Sequence, residues 1–256
     1  MPDYEREVSR PNSRARGWNI LATPGTYTLL AVNIAVFGWM VFHGVSAKDP
    51  TTAQLIHYGA TNGAFILGGH QWWRLLTATF VHVGLLHIAT NMWCLWNLGL
   101  LGEPLLGPLG LIAVYLITGI AGNLLSLLAS VLPPRDFVSV GAGASGAVFG
   151  IAGILIVLLS NKRLPIPAFE LNRLRRSVIQ FAVLNLIIGL GANLTSIVRI
   201  DNHAHIGGFL SGLALGVPLV PRMTSGRTRY LQRQKLTFSA AAFLLFLFAY
   251  FITKLR

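Results

Sequence analysis

The feature that most constrains this chain is the recurrence of apolar stretches close to 20 residues long. That is the length a helix needs to cross a hydrocarbon core of roughly 30 Å at about 1.5 Å per residue. Seven can be read, over about 26–45, 82–101, 108–131, 138–160, 177–198, 203–221 and 237–253. With 54% hydrophobic and 11% charged residues and a mean hydropathy of +0.62, the chain carries more apolar surface than a soluble core of this size hides. The expected fold class is all-α: a polytopic helical bundle with the lipid bilayer as its solvent.

The spans divide the chain into a tail (1–25), a six-span core (26–221), a basic linker (222–236) and a seventh helix (237–256). The tail alternates acids and arginines and has no apolar run, so it reads as retained rather than as a cleavable signal. Residues 46–81 form the longest insertion; Gly63, Gly68, Gly69, Trp72 and Trp73 suit a partly embedded interfacial loop. Seven spans place Arg6, Arg10, Arg14 and Arg16 on the same side as the Lys162–Arg176 and Arg222–Lys235 groups. That side holds most of the 20 Lys and Arg residues. Positive residues stay cytoplasmic, so the N-terminus is expected inside and the C-terminus outside, in the plasma (inner) membrane of a prokaryote. The net charge of +12 flanks apolar segments instead of forming a basic stripe, which favours anionic headgroups over nucleic acid as partner. The single cysteine, Cys94, excludes an intramolecular disulfide.

Polar residues inside spans are costly and point to function. His87 and Asn91, four apart, share one face of the second span. The fourth span holds the small-residue run Gly141-Ala142-Gly143-Ala144-Ser145-Gly146, which permits close backbone approach. The sixth begins Asp201-Asn202-His203-Ala204-His205, with Gly208 and Gly212 further along. At about 100° per residue, His205, Gly208 and Gly212 fall within about 60° of one another, and His203 falls on the far side. Packing of the small-residue stripe against the fourth span would therefore bring His205, not His203, to Ser145.

All eight acids lie in tails, loops or span ends. An aspartyl mechanism needs two carboxylates at one site and a zinc protease a His-Glu-x-x-His helix, and neither pattern is present. A zinc site from His82, His87 and His205 is disfavoured because His82 and His87 point apart on a helix; no metal and no cofactor is expected. What remains is a serine hydroxyl with an imidazole base and no orienting acid, a dyad. His87, Asn91 and the Ser145 amide would donate to a developing oxyanion.

These residues, in this order, resemble the rhomboid family of intramembrane serine proteases. The resemblance rests on Trp73-Arg74, on His82, His87 and Asn91, on Gly143-Ala144-Ser145-Gly146 and on Ala204-His205-Ile206-Gly207-Gly208, and covers roughly Tyr27 to Val220. It implies a six-helix catalytic core plus one added C-terminal helix, with Ser145 as nucleophile and His205 as base. His87, Asn91 and the Ser145 and Ala144 amides would be oxyanion donors. Trp73, Arg74, His82, Phe149, Gly208 and Gly212 are expected to support the site; Phe149 stands where the family often has tyrosine. The implied activity is hydrolysis of peptide bonds in or near the transmembrane helices of membrane protein substrates. The alternative is a rhomboid-like pseudoprotease that binds transmembrane clients without cutting them. A proton-relaying transporter is the more distant rival, weakened by the lack of membrane-centre acids and repeats.

Overall fold

The computed structural model describes residues 23–133, 136–161, 164, 166–195, 200–220 and 226–255. The arginines of the tail, and Lys162, Arg163 and Arg222, lie outside them. The chain forms α1 (Pro24–Phe42), α2 (Thr52–His57), α3 (Arg74–Thr77), α4 (Leu85–Leu106), α5 (Pro108–Val131), α6 (Ser145–Leu158), α7 (Ala168–Thr195), α8 (Asn202–Leu219) and α9 (Gly226–Lys254). Two short strands, β1 (Thr61–Asn62) and β2 (Val140–Gly141), pair antiparallel with Thr61 opposite Gly141. The architecture is an all-α membrane bundle. Among the described residues, α1, α5 and α9 are long and apolar enough to cross a membrane unaided. Helices α4 and α8 have the length but are diluted by polar residues.

Local chemistry sets the boundaries. Pro24 and Pro108 occupy the first turns of α1 and α5, where a missing N–H is harmless. Gly107, at φ +75°, turns the chain between α4 and α5. The fourth span differs from expectation: residues 138–144 are not helical, and α6 starts at Ser145 and has 14 residues. At about 1.5 Å per residue that is about 21 Å, too short to cross the hydrocarbon alone. Most of α6 is buried, including Val148, Ile151, Ile154, Leu155 and Leu158. The non-helical backbone before it is satisfied by protein partners: β2 pairs with β1, and the Gly143 and Ala144 amides face Ala78 and His82.

Helix α5 is central and presents two adjacent stripes at i, i+4, i+8 spacing. On one, Thr118 packs at Gly150, Gly122 lies under the Ala204 carbonyl, and Ser126 donates to Asp201. On the other, Tyr115 donates to the Thr79 carbonyl (2.9 Å), Gly119 leaves room for the Thr79 methyl, and Asn123 donates to the Leu75 carbonyl (2.8 Å).

Two interactions close helix ends from a distance. Thr23 makes no side-chain cap on α1. Glu103, buried in the last turn of α4, instead accepts from the Gly25 (2.8 Å) and Thr26 (2.7 Å) amides and the Thr26 hydroxyl (2.6 Å). An anion at a helix N-terminus satisfies open amides and complements the dipole. At the C-terminal end of α4, the Leu105 and Leu106 carbonyls accept from Tyr230 (3.0 Å) and Gln234 (2.8 Å) of α9. The stretch expected as a linker up to 236 is therefore helical from Gly226. The far end of α9 buries Ile252 against a cluster containing Ile66, Leu67, Leu75 and Leu124.

Candidate active site

Ser145 is the first residue of α6 and is half-buried. The turn before it is fixed by three contacts. Gly143 sits at φ +133°, and a Cβ there would lie 2.6 Å from His87 Cε1, so glycine is required both by conformation and by space. Its N–H donates to the Ala78 carbonyl at 2.9 Å. The Ala144 N–H points at His82 Nε2, 3.4 Å away. His82 is fully buried, and its Nδ1 lies 3.1 Å from the Phe80 carbonyl. Nδ1 therefore carries the proton and Nε2 accepts, a tautomer assigned from these partners. In this arrangement the Ala144 amide is committed to His82, in contrast with the expectation that it donates to an oxyanion. The Ser145 N–H, in the first turn of α6, has no intrahelical acceptor.

His205 lies in the first turn of α8 and is 6% exposed. Asp201 starts that helix: its carboxylate accepts the Ala204 N–H (3.0 Å) and the Ser126 hydroxyl. The imidazole stacks on the Phe149 ring, centroids 4.3 Å apart and planes 16° from parallel. Its Nδ1 is buried and has no partner among the described residues, so no acid orients the ring. His203, two residues earlier, is exposed. Glycines permit the close approach of α6 and α8. A Cβ on Gly208 would strike the Gly146 carbonyl, one on Gly212 the Gly150 carbonyl, and one on Gly153 the Phe209 carbonyl. No hydrogen bond joins Ser145 to His205 among the described residues; such contacts are often loose until substrate is bound.

His87 Nδ1 accepts from the Val83 N–H at 3.3 Å, which leaves the proton on Nε2, beside Gly143. Asn91, buried, gives one N–H to the His87 carbonyl (2.9 Å). Together a half-buried serine, an imidazole with no acid hydrogen-bonded to Nδ1 and N–H donors at the starts of α4 and α6 are the parts that acyl transfer requires.

Arg74 and Trp73 sit in the insertion. Arg74 is buried and donates to the protein's own Ile56 (2.6 Å) and Ala60 (3.0 Å) carbonyls and to Gln71 (2.7 Å). Its guanidinium lies over the Trp73 and Phe65 rings at 4.6 and 5.1 Å. Burial lowers the Arg74 pKa from its ordinary value. Trp73 itself is exposed. Among the described residues no three His, Cys, Asp or Glu side chains cluster as a metal ion would need.

Sequence reasoning passed over Asn33, Tyr115, Asn123 and Ser126, all within apolar spans. An Asn inside a span was the available signal.

The rhomboid domain family model matches residues 69–222, more than half of the chain. The chain belongs to the rhomboid family. This rhomboid is 30% identical over 223 residues to rhomboid protease AarA of Providencia stuartii, covering 81% of this chain and 76% of that protein. It is 34% identical over 198 residues to rhomboid protease GluP of Bacillus subtilis, covering 75% of this chain and 35% of GluP. To RHOMBOID-like protein 7 of Arabidopsis thaliana it is 30% identical over 195 residues, 76% of this chain and 58% of the relative. The chain thus spans about a third of GluP and somewhat over half of the plant protein.

Proposed function

We propose that this rhomboid is an intramembrane serine endopeptidase that cleaves transmembrane protein substrates through a Ser145–His205 dyad. The observation that carries the reading is the seam between α6 and α8. It has a half-buried serine at a helix N-terminus and, on the facing helix, a buried imidazole stacked on Phe149 with no acid hydrogen-bonded to its Nδ1. Protease-named relatives in two bacteria support it.

In the proposed reaction the Ser145 oxygen attacks the scissile carbonyl carbon as its proton passes to His205. Protein encloses Nδ1, leaving Nε2 to take that proton. The oxyanion of the tetrahedral intermediate is held by the His87 Nε2–H, an Asn91 N–H and the Ser145 amide. Its collapse breaks the C–N bond, with the His205 proton going to the leaving amine. Water, deprotonated by His205, then hydrolyses the acyl-enzyme and restores the serine. Removing one oxyanion donor would lower transition-state stabilisation by about 3–4 kcal/mol. The Ala144 amide, engaged by His82, is left out of this donor set. The N-terminus is proposed to be cytoplasmic, on the distribution of Lys and Arg, and the membrane to be a prokaryotic plasma membrane, in keeping with the protease-named bacterial relatives.

The test is cleavage of a type I transmembrane substrate by purified protein in liposomes, together with labelling by a serine-directed phosphonate. Wild type should cleave and be labelled at Ser145, Ser145→Ala and His205→Ala should do neither while remaining folded, and His203→Ala should retain activity. Binding of the substrate without cleavage or labelling by wild type would replace this reading with a non-cleaving client-binding protein.

A further inference from the structure

Three consecutive carbonyls in the connection between α3 and α4 have three different guests. Ala78 accepts the Gly143 N–H at 2.9 Å. Thr79 accepts the Tyr115 hydroxyl at 2.9 Å. Phe80 lies 3.1 Å from His82 Nδ1, and the other nitrogen of that ring faces the Ala144 N–H. The outer two carbonyls thus hold the two residues preceding Ser145, directly or through His82. The middle one is tied to α5.

The tie is well defined. A tyrosine hydroxyl has one proton, and Thr79 O (2.9 Å) is a nearer acceptor than Asn33 Oδ1 (3.2 Å). Asn33 Nδ2 donates to the Tyr115 oxygen (3.1 Å) and to the Leu29 carbonyl (2.8 Å), which turns that oxygen's proton towards Thr79. Tyr115 and Asn33 are both fully buried. One turn on, Gly119 admits the Thr79 methyl, and two turns on, Asn123 holds the Leu75 carbonyl. Three successive positions of one α5 stripe thus grip residues 75–79.

We propose that Tyr115, held by Asn33, is a positioning residue for Ser145: it fixes the backbone at Thr79 from which the Gly143 and Ala144 amides are aligned. The inference rests on the serine protease reading. It differs from the ordinary requirement that a buried hydroxyl be satisfied, because that requirement predicts lost stability without a selective loss of turnover. Small misplacements of a reacting group cost rate steeply.

The experiment compares wild type, Tyr115→Phe, Asn33→Ala and the double variant in liposomes, reading kcat, KM, phosphonate labelling rate and thermal unfolding, with Ser145→Ala as the blank. Tyr115→Phe keeps the ring and removes only the hydroxyl. Its kcat and labelling rate should fall about tenfold with KM within about twofold. Asn33→Ala should lower kcat in the same way, and the double variant should fall little below Tyr115→Phe, because the two act as one unit. A Tyr115→Phe kcat equal to wild type, or one lowered only in proportion to the folded fraction, overturns the proposal. Should Tyr115→Phe not fold, Asn33→Ala decides on the same readouts. A wild type neither labelled at Ser145 nor able to cleave fails at the serine reading itself, and the positioning role falls with it.

Discussion

The seam between α6 and α8 and the outer helix α9 are both built from membrane-compatible sequence, yet they are held in opposite ways. At the seam, Gly146, Gly150, Gly153, Gly208 and Gly212 bring one backbone against the other with almost no side chain between. Helix α9 is rich in Phe and Leu, and Phe243, Leu244, Phe246 and Leu247 are exposed. Its other face is attached by Tyr230 and Gln234 at one end, by Ile252 at the other, and by partly buried Phe238, Ala241, Leu245 and Phe248 between them. In lipid, large apolar side chains gain little from meeting protein instead of acyl chains, whereas close packing and backbone satisfaction discriminate. The residues that decide the structure are therefore the small and the polar ones.

Substitutions along the two regions can break or sharpen that contrast. The largest effect is expected from Gly212→Val, whose Cβ would run into the Gly150 carbonyl. Unfolding in detergent should show a loss of about 3 kcal/mol; a variant as stable as wild type would mean that the seam yields and is not the rigid element. Ile252→Ala should cost about 2 kcal/mol through the void left beside Ile66 and Leu124. A smaller loss there, within the error of the measurement, would reduce α9 to its polar end. The smallest effect belongs to Phe243→Ala, within about 0.5 kcal/mol. If it instead matched Ile252→Ala, the exposed face of α9 would have to meet a second protein surface.

Apolar length and helix faces were legible from the sequence. The third span was read at the bounds of α5, Pro108–Val131. Helix geometry put His205 towards the small-residue stripe and His203 away from it, matching their burial and exposure. The start of α6 was not legible, because Gly and Ala read as apolar helix while Gly143 is held out of the helix by Ala78 and by pairing of β2 with the distant β1. Polar partners were the other blind spot. The cost of burying Asn33 can be read from a single position, but the residue that offsets it, Tyr115, lies 82 positions away. Arg74 stands in the loop read as interfacial, yet its acceptors are carbonyls inside that same loop. Glu103 is one of the span-end acids, and the helix end that it caps belongs to α1.

That last contact has a consequence for synthesis. The carboxylate closing α1 lies 77 to 78 residues downstream of the amides that it accepts. Chains grow at about 5–20 residues per second, so α1 leaves the ribosome roughly 4–15 s before its cap exists. During that interval the Gly25 and Thr26 amides must be served by water or lipid oxygens. The first helix can enter the bilayer early, but its N-terminus acquires its final partner only when the end of α4 arrives.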